Sequence, residues 1–187
     1  NNILDMRFEL NNDITAKKIV NEYSEIEISN IIYQFSQDPN SRIIAKAIFK
    51  NRPFNNSKEL ADLISSIKLK VKRKHHPATL TFQALRMAVN DEVEELNKVL
   101  LDSFSLLGIG GRLAVISYHS TEDKIVKNFI NNGLSTCECP PLNLECNCNI
   151  TPTMKTINKK PITPTEEEIQ QNPRSRSAKL RVIERMI

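Results

Sequence analysis

Ser117, Tyr118, His119 and Ser120 directly follow the apolar run at residues 113–116 (LAVI). Hydroxyls and an imidazole at the carboxyl end of a buried strand fall where open α/β sheets bind their ligands. A plainer reading stands beside this one: Ser120 or Thr121 caps the helix that follows, and His119 is a surface histidine. Asp123 is close enough in sequence to orient the imidazole. No Gly-x-Ser-x-Gly elbow surrounds either serine, so nothing here demands hydrolysis.

The four cysteines, Cys137, Cys139, Cys146 and Cys148, lie in one loop as C-x-C-P-P-x4-C-x-C. Four thiolates can hold Zn2+ tetrahedrally, the pairs closing over the prolines. A single residue inside each pair gives an awkward bite, and reduced thiols or redox chemistry remain open alternatives. Disulfides are not expected in a reducing cytoplasm.

Basic residues cluster twice. Lys68, Lys70, Lys72, Arg73 and Lys74 form one run, and Arg174, Arg176, Lys179, Arg181 and Arg185 form another near the end. Each alone reads as a solvated face. Together they favour a polyanionic partner, and the mixed Arg and Ser of NPRSRSAKLR (172–181) suits phosphate contact. The glycines of 108–111 do not form a phosphate loop. They follow a helix and precede a strand, whereas a phosphate loop follows a strand and opens a helix.

These groups need elements to position them. Leu80, Leu85, Met87, Ala88, Val93, Leu96, Val99 and Leu100 recur near helical spacing and predict one long helix, ended by the glycine turn. A strand at 113–116 and an amphipathic helix at 122–129 follow, which together read as half of a doubly wound sheet. Residues 12–74 contain no convincing strand. Asp13 or Thr15 caps a first helix and Ser24 heads a second, with Ile26, Ile28, Ile31, Ile32 and Phe35 as its apolar set. A third carries Ile43, Ile44, Ala47 and Ile48, and a fourth, opened by Ser57, carries Leu60, Leu63, Ile64 and Ile67. Residues 132–153 are a loop by composition, and 155–157 a short strand. Thr165 before three glutamates opens a helix. Residues 179–187 form a closing strand in which Leu180, Val182 and Met186 alternate against Arg181, Ile183 and Arg185.

A chain of 187 residues with 40% hydrophobic content supports one domain, or one domain with a modest insertion. No apolar run approaches the ~20 residues of a membrane span, and NNILDMRFELNND is too polar for a secretory signal, so a cytoplasmic location is expected. The net charge of +4 is mild, so local clusters matter more than global steering. The abrupt start reads as the middle of a longer protein.

Four segments, LDMR (4–7), HPATLTFQALRMAVNDEVEEL (76–96), GGRLAVISYHSTEDKIVKNF (110–129) and NPRSRSAKLR (172–181), together resemble the small-subunit ribosomal RNA cytosine-N4 methyltransferases, the ribosomal small subunit methyltransferase H family. The cysteine loop resembles one seen in some members. Tyr118, Thr121 and Leu80 replace a usual Phe, Leu and Arg.

The resemblance implies an α/β fold, a partial Rossmann-like S-adenosylmethionine-dependent methyltransferase domain with an all-helical insertion. Residues 1–8 would be a remnant of that domain, 9–75 the substrate-recognition insertion, and 76–187 its C-terminal part with the cysteine-rich loop. It implies methylation of the exocyclic amine of a cytidine. An aryl amine is a weak nucleophile, its lone pair delocalised into the ring, so it must be held in line with the sulfonium methyl. The activated methyl belongs to the cofactor, so neither metal nor covalent intermediate is required, and the base must be exposed or flipped. Ser117, His119 and Ser120 are carried over as catalytic, active-site-facing positions. Arg174, Arg176 and Lys179 are carried over as RNA contacts, joined by Lys72 and Arg73 from the basic run. The family's glycine-rich cofactor loop lies upstream of LDMR, so no cofactor-binding residue is carried over and this chain alone is expected to be inactive. The implied partner is small-subunit ribosomal RNA or the small subunit itself, with no membrane, and a homodimer is allowed. A non-enzymatic RNA-binding module on the same fold is the competing expectation.

Overall fold

A computed structural model describes residues 3–9, 11, 13–68, 76–137, 139, 148 and 150–187. Lys72, Arg73 and Cys146, singled out above, lie outside the described residues. The chain divides into two compact units, Asn1–Glu92 and Val93–Ile187.

In the first unit the first two helix starts are written in side chains. Thr15 accepts from the Lys18 amide and opens α1 (Ala16–Glu22). Ser24 and Glu27 form a reciprocal capping box that opens α2 (Glu25–Ser36), satisfying amides that have no carbonyl partner within the first turn. α3 (Ser41–Lys50), α4 (Ser57–Lys68) and α5 (Thr79–Val89) complete the set. Their apolar stripes meet in one cluster that includes Ile19, Ile28, Ile32, Ile44, Ile48, Leu60, Ile64 and Leu85. Leu4 belongs to it too, and the Leu4 and Asp5 carbonyls accept from the first amides of α1. Periodicity overreached at two positions: Ile26 and Ile43 are exposed, while Ala45 takes a core place.

The long helix expected over 80–100 is two helices. α5 stops at Val89, and α6 (Glu92–Ser105) begins after Asp91 turns left-handed at φ 50. Asn and Asp tolerate that conformation best after glycine. Asn90 ties off the break, donating to the Met6 and Arg86 carbonyls and accepting from the Phe8 amide. Arg86 then reaches across it to both oxygens of Glu92 at 2.7 and 3.0 Å.

The second unit holds a three-stranded sheet, order β1-β3-β2, from β1 (Arg112–Ser117), β2 (Met154–Thr156) and β3 (Lys179–Arg185). Both pairings are antiparallel, so among the described residues no parallel pair of the expected doubly wound sheet is present. The glycine turn is as expected: Gly110 has φ +81, and a Cβ on Gly111 would meet the Gly108 carbonyl at 2.8 Å. α7 runs Ser120–Leu134, and α8 spans Glu166–Gln171 behind its Thr165 cap. A 3-10 helix, Pro173–Ser177, follows that the sequence reading did not anticipate.

Leu100, Val126, Ile130, Met154 and Ile183 form the second core. The polarity of β3 is the reverse of the expected alternation. Ile183 is its buried residue, and Arg181 and Arg185, two positions either side, lie on the same face. The register sets Leu113 against Ile183 and Val115 against Arg181 on that face, with Ala114 against Val182 and Ile116 against Leu180 on the other. Ile116 is 54% exposed.

Ile44→Ala should destabilise by about 2–5 kcal/mol in urea unfolding, because it empties a closed site. Ile43→Ala, its exposed neighbour, should change stability by under about 0.5 kcal/mol.

Candidate nucleic-acid interface at the β1 strand end

β1 delivers Ser117 to the edge of the core, and α7 starts three residues later. The turn between them is closed by His119 itself, which is the helix N-cap. Its Nδ1 accepts from the Glu122 amide at 3.3 Å, while Glu122 Oε2 accepts from the Tyr118 and His119 amides at 2.7 and 3.3 Å. Neither Ser120 nor Thr121 is the cap. With Nδ1 accepting, a neutral ring carries its proton on Nε2. Nε2 lies 3.1 Å from Glu122 Oε1 but is poorly directed for a hydrogen bond, and it is shielded from solvent. Burial pushes the Glu122 carboxyl up, but the His119 ring and the two amides outweigh it and hold the group below the ordinary carboxylate range.

Asp123 does not orient His119. It is 6% exposed and faces β3, accepting from Arg181 Nε at 2.8 Å and from Lys179 Nζ at 3.2 Å. Burial alone would raise its pKa, yet the hydrogen bonds and charges of Arg181 and Lys179 prevail and lower it. One carboxylate therefore ties the first turn of α7 to β3, the central strand, with Ser117 paired opposite Lys179 across β1 and β3.

The basic cluster near the end divides by job. Arg185 donates to the Ser105 and Leu107 carbonyls and stacks over Phe104, fastening the end of α6. Arg181 and Lys179 are held by Asp123, Lys179 remaining partly exposed. Arg174 and Arg176 are exposed on the 3-10 helix and have no carboxylate partner among the described residues. That helix is pinned from beneath by Asn172, which accepts from the Arg174 amide, and by buried Ser175, which donates to the Asn172 carbonyl at 2.8 Å.

Between α7 and β2/β3 lies a cleft of about 290 Å³ lined by Lys127, Asn131, Thr156, Asn158, Lys159 and Arg181 among others. Sequence reasoning missed it. Lys127 and Lys159 come from a helix and a loop thirty residues apart, and only the pairing of β2 with β3 brings them together. Asn158 holds the cleft wall, accepting from the Val182 amide at 2.7 Å and donating to the Leu180 carbonyl at 3.1 Å.

Cys137, Cys139 and Cys148 come together, their sulfurs all within 4.8 Å of one another. The glycine turn does not open a helix, and at the start of α7 the Glu122 amide donates to His119 Nδ1 and the Asp123 amide to the His119 carbonyl.

The sequence model of the MraW methylase family matches residues 1–186. The chain belongs to that family. A ribosomal RNA small subunit methyltransferase H of Dehalococcoides mccartyi is 49% identical over 98% of this chain and 53% of its own length. Proteins of the same name from Thermosipho melanesiensis and Carboxydothermus hydrogenoformans are 46% and 42% identical over 98% of the chain, and 57% and 60% of their own lengths. The chain thus spans between half and two thirds of the length of these relatives. The family assignment agrees with the four-segment resemblance, and helices with a small sheet agree with an α/β class. Among the described residues no helix is long and apolar enough to cross a membrane.

Asp123→Ala should cost about 2–3 kcal/mol, since it leaves Arg181 half-buried without its partner. Because the folded pKa values of Asp123 and Glu122 are depressed, their stabilisation is present above the unfolded value and lost as pH falls through the folded one. Thermal stability should therefore drop below pH about 4, and Asp123→Asn should flatten that acid limb.

Proposed function

We propose that this chain is the RNA-holding portion of an S-adenosylmethionine-dependent methyltransferase that modifies the N4 amine of a cytidine in small-subunit ribosomal RNA. The observation that carries this reading is near-complete coverage of the chain by relatives named ribosomal RNA small subunit methyltransferase H, at 42–49% identity. Residues 9–75 act as the helical recognition insertion and 76–187 as the C-terminal part of a Rossmann-like domain. The outer edge of β1, which has no strand partner among the described residues, and its exposed Ile116 face support this, because strands of such a sheet are covered on both faces. The cofactor is held by parts of the family fold other than the described residues. The enzyme works on ribosomes or their precursors in the cytoplasm.

Within this portion the β1 strand end faces the base. Tyr118, 53% exposed, offers a ring on which an unstacked base can lie. Ser120, also exposed, supplies a hydroxyl acceptor for an amine hydrogen. His119 and Ser117 fix the turn that presents them, His119 through its cap and Ser117 from its buried place beside Lys179. Arg174 and Arg176 contact phosphates, with Lys127 and Lys159 extending the basic surface.

The test is nucleoside mass spectrometry of unmodified small subunits incubated with the full-length protein and adenosylmethionine. N4-methylcytidine is expected, and its absence with correctly folded enzyme contradicts the reading. The Arg174→Ala/Arg176→Ala pair should raise KM with little change in kcat, and should lower the slope of log affinity against log salt by about one to two. His119→Asn keeps a capping acceptor and should retain most of kcat. His119→Ala should lose about 1 kcal/mol of stability. A kcat collapse in the Asn variant would instead put the imidazole in contact with substrate.

A further inference from the structure

The cysteine cluster takes no part in the function described above. Cys137 and Cys139 follow the C-cap of α7, and Cys148 returns to them from the far side of the loop. Cys139 and Cys148 Sγ stand 3.3 Å apart, and Cys137 Sγ completes a triangle within 4.8 Å. Three sulfurs on a tetrahedral Zn2+ with Zn–S of about 2.3 Å sit about 3.8 Å from one another, a spacing within the observed limit for all three. A disulfide joins only two sulfurs and brings them to about 2.05 Å. It would leave the third sulfur of the triangle without a role.

The backbone holds the sulfurs in place as well. The Cys139 amide donates to Cys137 Sγ at 3.3 Å, which draws the two cysteines together. The Cys137 amide donates to Ser135 Oγ, and the Ser135 hydroxyl donates to the Cys137 carbonyl, which fixes the first ligand's approach. The base of the loop is closed independently, because the Thr153 amide donates to the Gly133 carbonyl at 3.0 Å. Met154 packs against Gly133 there: a Cβ would meet the end of its side chain at 2.2 Å, so that side chain would have to shift.

We propose that Cys137, Cys139 and Cys148 bind a zinc ion as a structural clip. Soft thiolate sulfur selects such a cation over the hard divalent ions. Three ligands among the described residues leave one tetrahedral position for a further donor. The site sits at the C-terminal end of α7, a helix of 15 residues and so about 22 Å long, with the β1 strand end at the other. A metal there is too remote to touch a base held at Ser120. Its work is to hold Cys148 against the segment that follows α7, and the proposal does not depend on the methyltransferase reading.

The test is metal analysis of the full-length protein, purified reduced and without chelator. About one zinc per chain is expected, lowered at least about tenfold in affinity by Cys139→Ser or Cys148→Ser. Cobalt substituted into the wild-type protein should give a sulfur-to-metal charge-transfer band with tetrahedral d–d bands, which reads the ligand set without depending on the folding of a variant. Chelation should expose the loop to protease while kcat on small subunits changes little. Folded wild-type protein without zinc and without the cobalt band would overturn the proposal. So would a stable Cys139–Cys148 disulfide in the protein as isolated from reducing cells.

Discussion

A carboxylate placed out of water is costly unless cations meet it, and Asp123 is met by Arg181 and Lys179 together. That triad has structural consequences on every side. It sets the first turn of α7 against β3, so the His119–Glu122 cap closes in one geometry. It also removes two cations from the basic segment before any partner arrives. Arg174 and Arg176 remain without a carboxylate partner among the described residues, displayed on a short 3-10 helix that is itself anchored by Asn172 and Ser175. The proposed interface would be shaped as much by the charges spent internally as by those it presents.

The local starts of helices were legible in the sequence, because they depend on a single side chain and the amides next to it. Thr15, Ser24 and Thr165 cap where their residue types say they should. Periodicity was less dependable. A stripe of eight apolar residues from Leu80 to Leu100 concealed a break, since the left-handed turn at Asp91 is decided by Asn90 reaching back to Met6, more than eighty residues away in sequence. The reversed polarity of β3 has a similar origin. Arg181 and Arg185 look solvent-facing by type, but their stems lie along the core and their heads find Asp123 and the end of α6.

The place of the candidate site in the fold was legible, the bonding of its residues much less. SYHS does sit between the end of a strand and the start of a helix, yet His119, the residue most suggestive of chemistry, is committed to capping through Nδ1 and is shielded at Nε2. Tyr118, which entered as a mere departure from the family's usual Phe, is the open ring. The cleft with Lys127 and Lys159 left no trace in the sequence, because it exists only once β2 pairs with β3. The family match itself came from segment order and spacing, which survive where individual roles cannot be assigned.

The central claim is that this portion of the family fold grips RNA while the cofactor is held elsewhere. Paired calorimetric titrations of the 187-residue chain, one with S-adenosylmethionine and one with a small-subunit RNA fragment, test it most directly. The account predicts salt-dependent binding of RNA and no detectable heat with the cofactor. One-to-one binding of S-adenosylmethionine would contradict it, and would mean that the strand ends described here build a cofactor site on their own.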